Sequence, residues 1–321
     1  MSKNSILVTI GIVAYNHEKF ISQAVDSVLM QKVNFDYEII INDDASTDKT
    51  RDILKKYREN YPDKINLLLS EKNEGARKSG MKICRNSNGK YLTWFDGDDY
   101  WIYENKLQTQ VDFLEANPEY NGCFHDAKII STMDTDERSN QLAKNQSQKD
   151  FKCYSQFTRY SPDFYPWHLL HRNIIPTASL IFRNKKNCLN IFLNCSETTL
   201  SLNWALHLQL IKDGKFKYLN ELWSVYNDHP EGISKKRDLN SFKMSNIEIL
   251  KNLLTDDYYK YLKKDIYECM TNEYMQIMLN PETMKSSKGF FYKIILNYLW
   301  SCIKTAFYFA RYYHHSKNIT S

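Results

Sequence analysis

Apolar and polar positions fall into alternating blocks along the first hundred residues. Ile6–Ala14 (ILVTIGIVA) is β-branched and almost wholly apolar, the pattern of a strand covered on both faces. Tyr15-Asn16-His17 breaks that run. Glu18–Gln31 then carries Phe20, Ile21, Ala24, Val25, Val28 and Leu29 as one stripe at helical spacing. Tyr37–Asn42 (YEIIIN) repeats the buried-strand pattern and ends in Asp43-Asp44, followed by the good helix-capping types Ser46, Thr47 and Asp48. The next helix carries Ile53, Leu54 and Tyr57 and stops near Pro62. Ile65–Ser70 predicts a third strand, Asn73-Glu74-Gly75 a turn, Arg77–Arg85 a helix and Tyr91–Phe95 a fourth strand.

Strands and helices that alternate in this way predict an α/β fold, a doubly wound and mostly parallel sheet with helices on both faces. Ligands in such sheets sit beyond the carboxyl ends of the strands. The polar groups that cluster at those ends are Tyr15, Asp44, Asp96 and Asp98. Core packing alone does not require them there.

Beyond residue 101 the pattern loosens. Lys106–Glu115 predicts a helix ended by Asn117-Pro118, and Gly122–Ile130 a strand. Residues 132–160 are polar and predict a long mobile loop, a lid or an acceptor-facing insertion. Ile174–Arg183 is strand-like, Leu200–Asp213 helical with Gly214 as its cap, and Phe216–Tyr226 a further strand. Residues 236–285 predict helices rich in Lys, Tyr and Leu. The expected division is a catalytic domain over 1–235, with a nucleotide-binding half at about 1–101 and an acceptor half at about 102–235, then a helical region over 236–321. Its tail, 290–315, is amphipathic. In a helix Lys293, Asn297, Ser301, Lys304, Arg311 and His315 share a sector less than about 90° wide, and the remainder is aromatic and aliphatic. Such a helix either lies in a membrane interface with its bases toward headgroups, or packs on the catalytic domain or a second subunit.

Composition narrows the chemistry only slightly. The formal charge of +5 is no mark of nucleic-acid binding; a nucleotide or an anionic membrane surface suits it equally. Seven cysteines without a C-x-x-C spacing suggest reduced thiols in a cytosolic setting and no zinc knuckle. No signal peptide is expected at the start, and no run of about eighteen apolar residues predicts a membrane span. The densest chemistry is Asp96-Gly97-Asp98-Asp99, three carboxylates in four residues behind a strand. They form either a solvated acidic turn or a divalent-cation site, with Gly97 allowing close backbone approach to a ligand.

Five stretches in order, VAYNHEKFISQAVDSVLMQ, EIIINDDASTDKT, the NEG turn, GKYLTWFDGDDYW and GKFKYLNELWSVYNDHPEGIS, resemble the family 2 glycosyltransferases of GT-A fold over about residues 7–235. The resemblance implies an inverting, D-x-D-containing enzyme that moves a sugar from a nucleoside diphosphate donor to a surface-glycan or lipid-linked acceptor, with Mn²⁺ or Mg²⁺. It implies that Ala14 and Tyr15 line the base pocket and that Asp44 reads the base, which favours a UDP-sugar through the uracil imide. Arg77 or Lys78 would meet phosphate, Asp96 the ribose, and Asp98 and His229 the metal. Asp43 points the other way on its strand and reads as structural. Asp99 either joins the metal network or caps the next helix.

One position departs from the family. Inverting relatives carry an acid just before the Trp–x–Leu helix, and here the dipeptide is Asn203-Trp204. Asparagine cannot deprotonate an acceptor hydroxyl, so Glu197 is the expected base, with Asp228 a further carboxylate within reach of the same role. Asn203 otherwise marks a weakened enzyme or an inactive nucleotide-sugar binding protein. A nucleotidyltransferase is disfavoured because VAYNHEKF lacks a Gly-rich phosphate loop. A lipid-linked acceptor places the protein in the cytoplasm, peripheral on the inner face of the membrane. A homo-oligomer is left open.

Overall fold

The structure is a computed structural model that describes residues 5–131, 162–185, 196, 199–232, 238–285 and 288–317. Among the described residues nine strands form one mixed sheet in the order β3-β2-β1-β4-β8-β6-β9-β5, with β7 beside β9. The first half follows the alternation in the sequence. β1 (Val8–Ala14), β2 (Tyr37–Asp43), β3 (Ile65–Leu69) and β4 (Tyr91–Asp96) are parallel neighbours, joined by α1 (Ile21–Leu29), α2 (Thr50–Asn60) and α3 (Ala76–Asn86). β1 lies between β2 and β4 and is apolar on both faces because both are covered. Val8, Ile10, Ile12 and Ala14 are fully buried, with Ile39 and Ile41 of β2 and Ile21, Val25 and Val28 of α1 in the same core. Each such side chain contributes about 1.5–3 kcal/mol by leaving water.

Register then decides what is neighbour to what. Val13 pairs with Asp96 and Ala14 with Asp43, so the three strands end level and their next residues emerge in one row.

The second half is antiparallel at β4–β8 and β8–β6, and parallel at β6–β9. β5 (Tyr100–Trp101) follows β4, α4 (Lys106–Ala116) and β6 (Tyr120–Ser131) come next, then β7 (Asp163–Phe164), β8 (Ile181–Arg183) and β9 (Lys215–Asp228). Within Ile174–Arg183 only the last three residues form a strand. Pro176 enters a 3₁₀ turn at Thr177–Ser179, where the Ser179 amide and hydroxyl both donate to the Pro176 carbonyl. Buried side chains there fix a turn, not a strand: Trp101 Nε1 donates to Ala178 O at 2.7 Å. The expected loop over 132–160 lies outside the described residues.

The chain divides into two compact units, one from Met1–Tyr165, Ile174–Asn194 and Gln209–Lys235, the other from Pro166–Asn173, Cys195–Leu208 and Lys236–Ser321. The sheet belongs to the first. In the second, α5 (Leu202–Leu210) begins and α6 (Leu239–Thr255), α7 (Lys263–Leu279) and α8 (Lys288–Lys317) follow. Asp238 caps α6 by accepting from the Ser241 amide at 2.8 Å. Glu273 of α7 is held to α6 by Lys243 at 3.2 Å. Ser301 of α8 is fully buried, donating to Tyr267 O at 3.0 Å with the Thr271 hydroxyl 2.7 Å away. The polar sector anticipated for this helix is therefore divided: Ser301 faces protein, because a small hydroxyl that finds a carbonyl lets two helices approach. No helix among the described residues is long and apolar enough to cross a membrane.

Candidate active site at the strand ends

The Asp96–Asp99 stretch turns directly off β4. The Gly97 amide donates to Val13 O at 2.7 Å and the Asp99 amide to Asp96 O at 2.9 Å, which pins the turn against the end of β1. β5 then pairs antiparallel with β9, Tyr100 opposite Val225 and Trp101 opposite Ser224. That pairing delivers the end of β9 to the acidic turn. The Asn227 amide donates to Asp99 Oδ1 at 3.1 Å, the Asn227 side chain donates to Asp98 O, and His229 Nε2 lies 3.0 Å from Asp98 Oδ2. Asp98 and His229, 131 residues apart, are thus brought together.

A third group was missed. His17 Nε2 is 3.8 Å from the same Asp98 oxygen. The sequence held its signal in the YNHEKF stretch, but there His17 read only as part of a strand break. Its position explains Gly97 in a different way from ligand approach. A Cβ at 97 would lie 2.9 Å from His17 Nδ1 and 2.8 Å from Ile21 Cδ1. The glycine makes room for the imidazole. Burial lowers the His17 pKa, Asp98 opposes that shift, and the neighbouring His229 adds to it. The Phe20 ring packs 4.9 Å from the His229 ring. Asp99 is buried, and burial first, then the Asp98 and Asp96 charges, hold its carboxyl well above the usual carboxylate range.

The loops after β1 and β2 are zipped together. The Asn16 and His17 amides donate to Ser46 Oγ and Thr50 Oγ1 at 3.0 and 2.8 Å, and Asn16 Oδ1 accepts from the Thr47 amide at 2.8 Å. Glu18 N donates to Asp48 and Lys49 N donates back to Glu18, both at 3.0 Å. Asn16 and Ala45 adopt left-handed backbone, φ 56° and 62°, which is strained for alanine and is held by this lattice of bonds. Ala14 is buried and Tyr15 is 39% exposed beside them. Tyr15 is thus open to a ring stacking on it.

Asp44 organises the next turn. Its two oxygens accept from the amides of Glu74 at 3.0 Å and Gly75 at 2.7 Å, and each retains acceptor capacity. Gly75 has φ 86°, a conformation glycine adopts without penalty. Asp43 points away, as alternation requires, and receives the Arg51 guanidinium at 2.7 Å. Arg77 and Lys78 lie in the first turn of α3, where Lys78 Nζ is 3.8 Å from Glu74. Lys82, one turn further and unremarked in the sequence, also reaches Glu74 and donates to Ser70 at 2.7 Å. The strand ends therefore present an exposed aromatic, a rim of lysines and a carboxylate between two imidazoles.

Asn203 lies in the first turn of α5. Trp204, which follows it, is buried, and its indole donates to Leu169 O at 2.6 Å. His207 on the same helix is also buried, with Nδ1 3.0 Å from Asn173 Oδ1, and burial pushes its pKa down to about 3. Glu197 lies outside the described residues.

The model of the family described as "Glycosyl transferase family 2" matches residues 9–185, more than half of the chain. The chain belongs to glycosyltransferase family 2. An uncharacterized protein of Mycobacterium tuberculosis is 31% identical to this family member over 69% of the chain and 58% of its own length, so the chain spans little more than half of that relative. The Escherichia coli enzyme WfgD, named as a UDP-Glc:alpha-D-GlcNAc-diphosphoundecaprenol beta-1,3-glucosyltransferase, is 27% identical over 70% of the chain and 87% of its own length. Staphylococcus aureus TarS, solved with UDP-GlcNAc, superposes with a TM-score of 0.68 over 92% of this chain and 81% of its own at 16% identity, which shows the GT-A fold. A mannosyltransferase of Pyrobaculum calidifontis, solved with GDP-Man and Mn²⁺, superposes at 0.52 over 95% and 88% at 12% identity.

Proposed function

We propose that this family 2 member transfers a sugar, with inversion, from a UDP-sugar to a lipid-linked acceptor in the assembly of a bacterial surface glycan. The observation that carries the reading is Asp98, set beside His17 and His229 at the level where β1, β2 and β4 end. WfgD, similar over most of its length, is named for a UDP-sugar donor and a diphosphoundecaprenol acceptor.

The donor set suits a divalent cation of the Mn²⁺ or Mg²⁺ kind. A carboxylate oxygen and an imidazole nitrogen 3.0 Å apart are ligand types for Mn²⁺, and both need bend only slightly around an ion. Among the described residues no three His, Cys, Asp or Glu side chains already form a cage. Diphosphate oxygens would complete the shell, as they do for weakly caged ions. Asp98 and His229 would hold it, and bound there it would neutralise charge developing on the departing nucleoside diphosphate. Asp96, the last residue of β4 and two residues before Asp98, would face the ribose. Tyr15 offers its face to the base, and Asp44 accepts the uracil imide while anchoring the Gly75 turn. Arg77 and Lys78 face the phosphates. Glu197 takes the proton of the acceptor hydroxyl, because Asn203 cannot.

A thermal-shift screen of nucleoside diphosphate sugars with and without Mn²⁺ tests the donor. One uridine donor should stabilise the protein selectively and only with the ion; indifference to every uridine and guanosine donor would overturn the reading. Glu197→Gln with full turnover would remove that residue as base. Asn203 also favours a second reading, a nucleotide-sugar binding protein without turnover. Slow hydrolysis of the donor with Mn²⁺ separates the two, since only an enzyme shows it.

A further inference from the structure

The exposed face of α8 was not the one its polar sector suggested. Ile294 and Ser301, both buried, mark the side packed on α7, where Trp300 and Tyr308 also meet the Tyr267 ring at 5.4 and 5.7 Å. Roughly opposite, Tyr292, Leu296, Leu299, Trp300, Ile303 and Phe307 lie in one sector about 100° wide and are each 47–66% exposed. Six large apolar side chains in one stripe make a contiguous exposed patch, and the largest such patch on a soluble chain, typically about 300–600 Å², is often an interaction site. Lys293 and Lys304 border it, with Lys304 Nζ 5.4 Å from the Trp300 ring centre.

Charge selects the occupant. Lys288–Lys317 holds five Lys and Arg residues and no Asp or Glu. A second copy of this helix laid on the first would set lysine against lysine with no acid on either helix to relieve them. An anionic bilayer surface satisfies both features at once: the apolar stripe enters the acyl boundary, Trp300 and Tyr292 sit at headgroup level, and the flanking lysines meet lipid phosphates. At 30 residues and about 45 Å the helix lies along the surface, and it is not apolar enough to cross.

We propose that α8 docks this protein, by its Tyr292–Phe307 stripe, onto an anionic membrane surface. The proposal stands apart from the sugar-transfer reading. Its test is flotation of the full-length chain with phosphatidylcholine vesicles that contain or lack phosphatidylglycerol. The chain should float with the anionic vesicles and be released by high salt. Leu296→Ser/Ile303→Ser should lower the bound fraction at least about tenfold with an unchanged melting temperature, since both side chains are exposed. Lys293→Glu/Lys304→Glu should lose the preference for anionic lipid. Donor hydrolysis should be the same in all three proteins, so a failed docking is not mistaken for a failed enzyme. Absence of flotation by the wild type, or equal flotation of the serine variant, would overturn the proposal. So would a dimer by sedimentation that the serine variant splits while its flotation is untouched.

Discussion

The Asp98 carboxylate oxygen lies within 4 Å of two imidazoles. Removing its charge with Asp98→Asn should leave the fold intact, lower kcat by about 10²–10³, and abolish Mn²⁺-dependent stabilisation in a thermal shift. A second prediction concerns Lys106, fully buried against the Trp101 ring with its ammonium 4.0 Å from the ring centre and bonded to Gln110 at 2.8 Å. Burial pushes its pKa down to about 7, with Cys123 acting weakly against the shift. The unfolded chain holds that proton up to about pH 10.4. Below pH 7 both states are charged and the full burial cost applies. Between pH 7 and 10 only the unfolded state binds the proton, so stability rises with pH. Lys106→Met should remove this rise. The difference between the two proteins in urea unfolding should shrink by a few kcal/mol from pH 7 to pH 10, and an identical slope in both would refute the assignment.

At the scale of elements, the parallel half was legible because β1, β2 and β4 are buried along nearly their whole length and the helices between the strands carry a clear stripe. Elements ruled by local chemistry were not. Pro176 and the bonds to its carbonyl turn a strand-like apolar run into a 3₁₀ turn, and hydrophobicity does not distinguish the two. The partners of the acidic turn were half visible. All three partners sit in the family-like stretches, but only His229 stood out, because the importance of His17 and Asn227 depends on the β1–β4 register and the β5–β9 pairing, which no linear spacing encodes. The Asp44 turn offers a third prediction. Gly75→Ala forces a side chain into φ 86°, ψ 164°, a region essentially reserved for glycine, and should cost about 1–3 kcal/mol. Because Asp44 holds that turn, the same change should weaken UDP binding in calorimetry, while a control such as Ala116→Ser at the end of α4 leaves binding unchanged.

For the whole molecule, the GT-A fold sets three strand ends level and folds a later strand back to meet them. A donor bound there stabilises only the folded chain. At a hundredfold excess over Kd, a UDP-sugar should add about 2.7 kcal/mol and raise the melting temperature by roughly 5 °C, measured by calorimetry with the ion present. A smaller rise for Asp98→Asn than for wild type would assign the difference to the site. The stretch 132–160 was least legible, because its sequence is polar and carries no periodic pattern from which an element could be read.

Gly97 leaves space for His17 and Ile21. In evolutionary terms the consequence is a lock between two positions eighty residues apart. A methyl group at 97 needs room from His17 as well as from Ile21, so positions 97 and 17 should not mutate independently. Gly97→Ala alone should destabilise the protein by about 1–3 kcal/mol, and His17→Ala in the same chain should recover part of that loss. The middle residue of this D-x-D is thus chosen by a histidine on another strand end, before any ligand arrives.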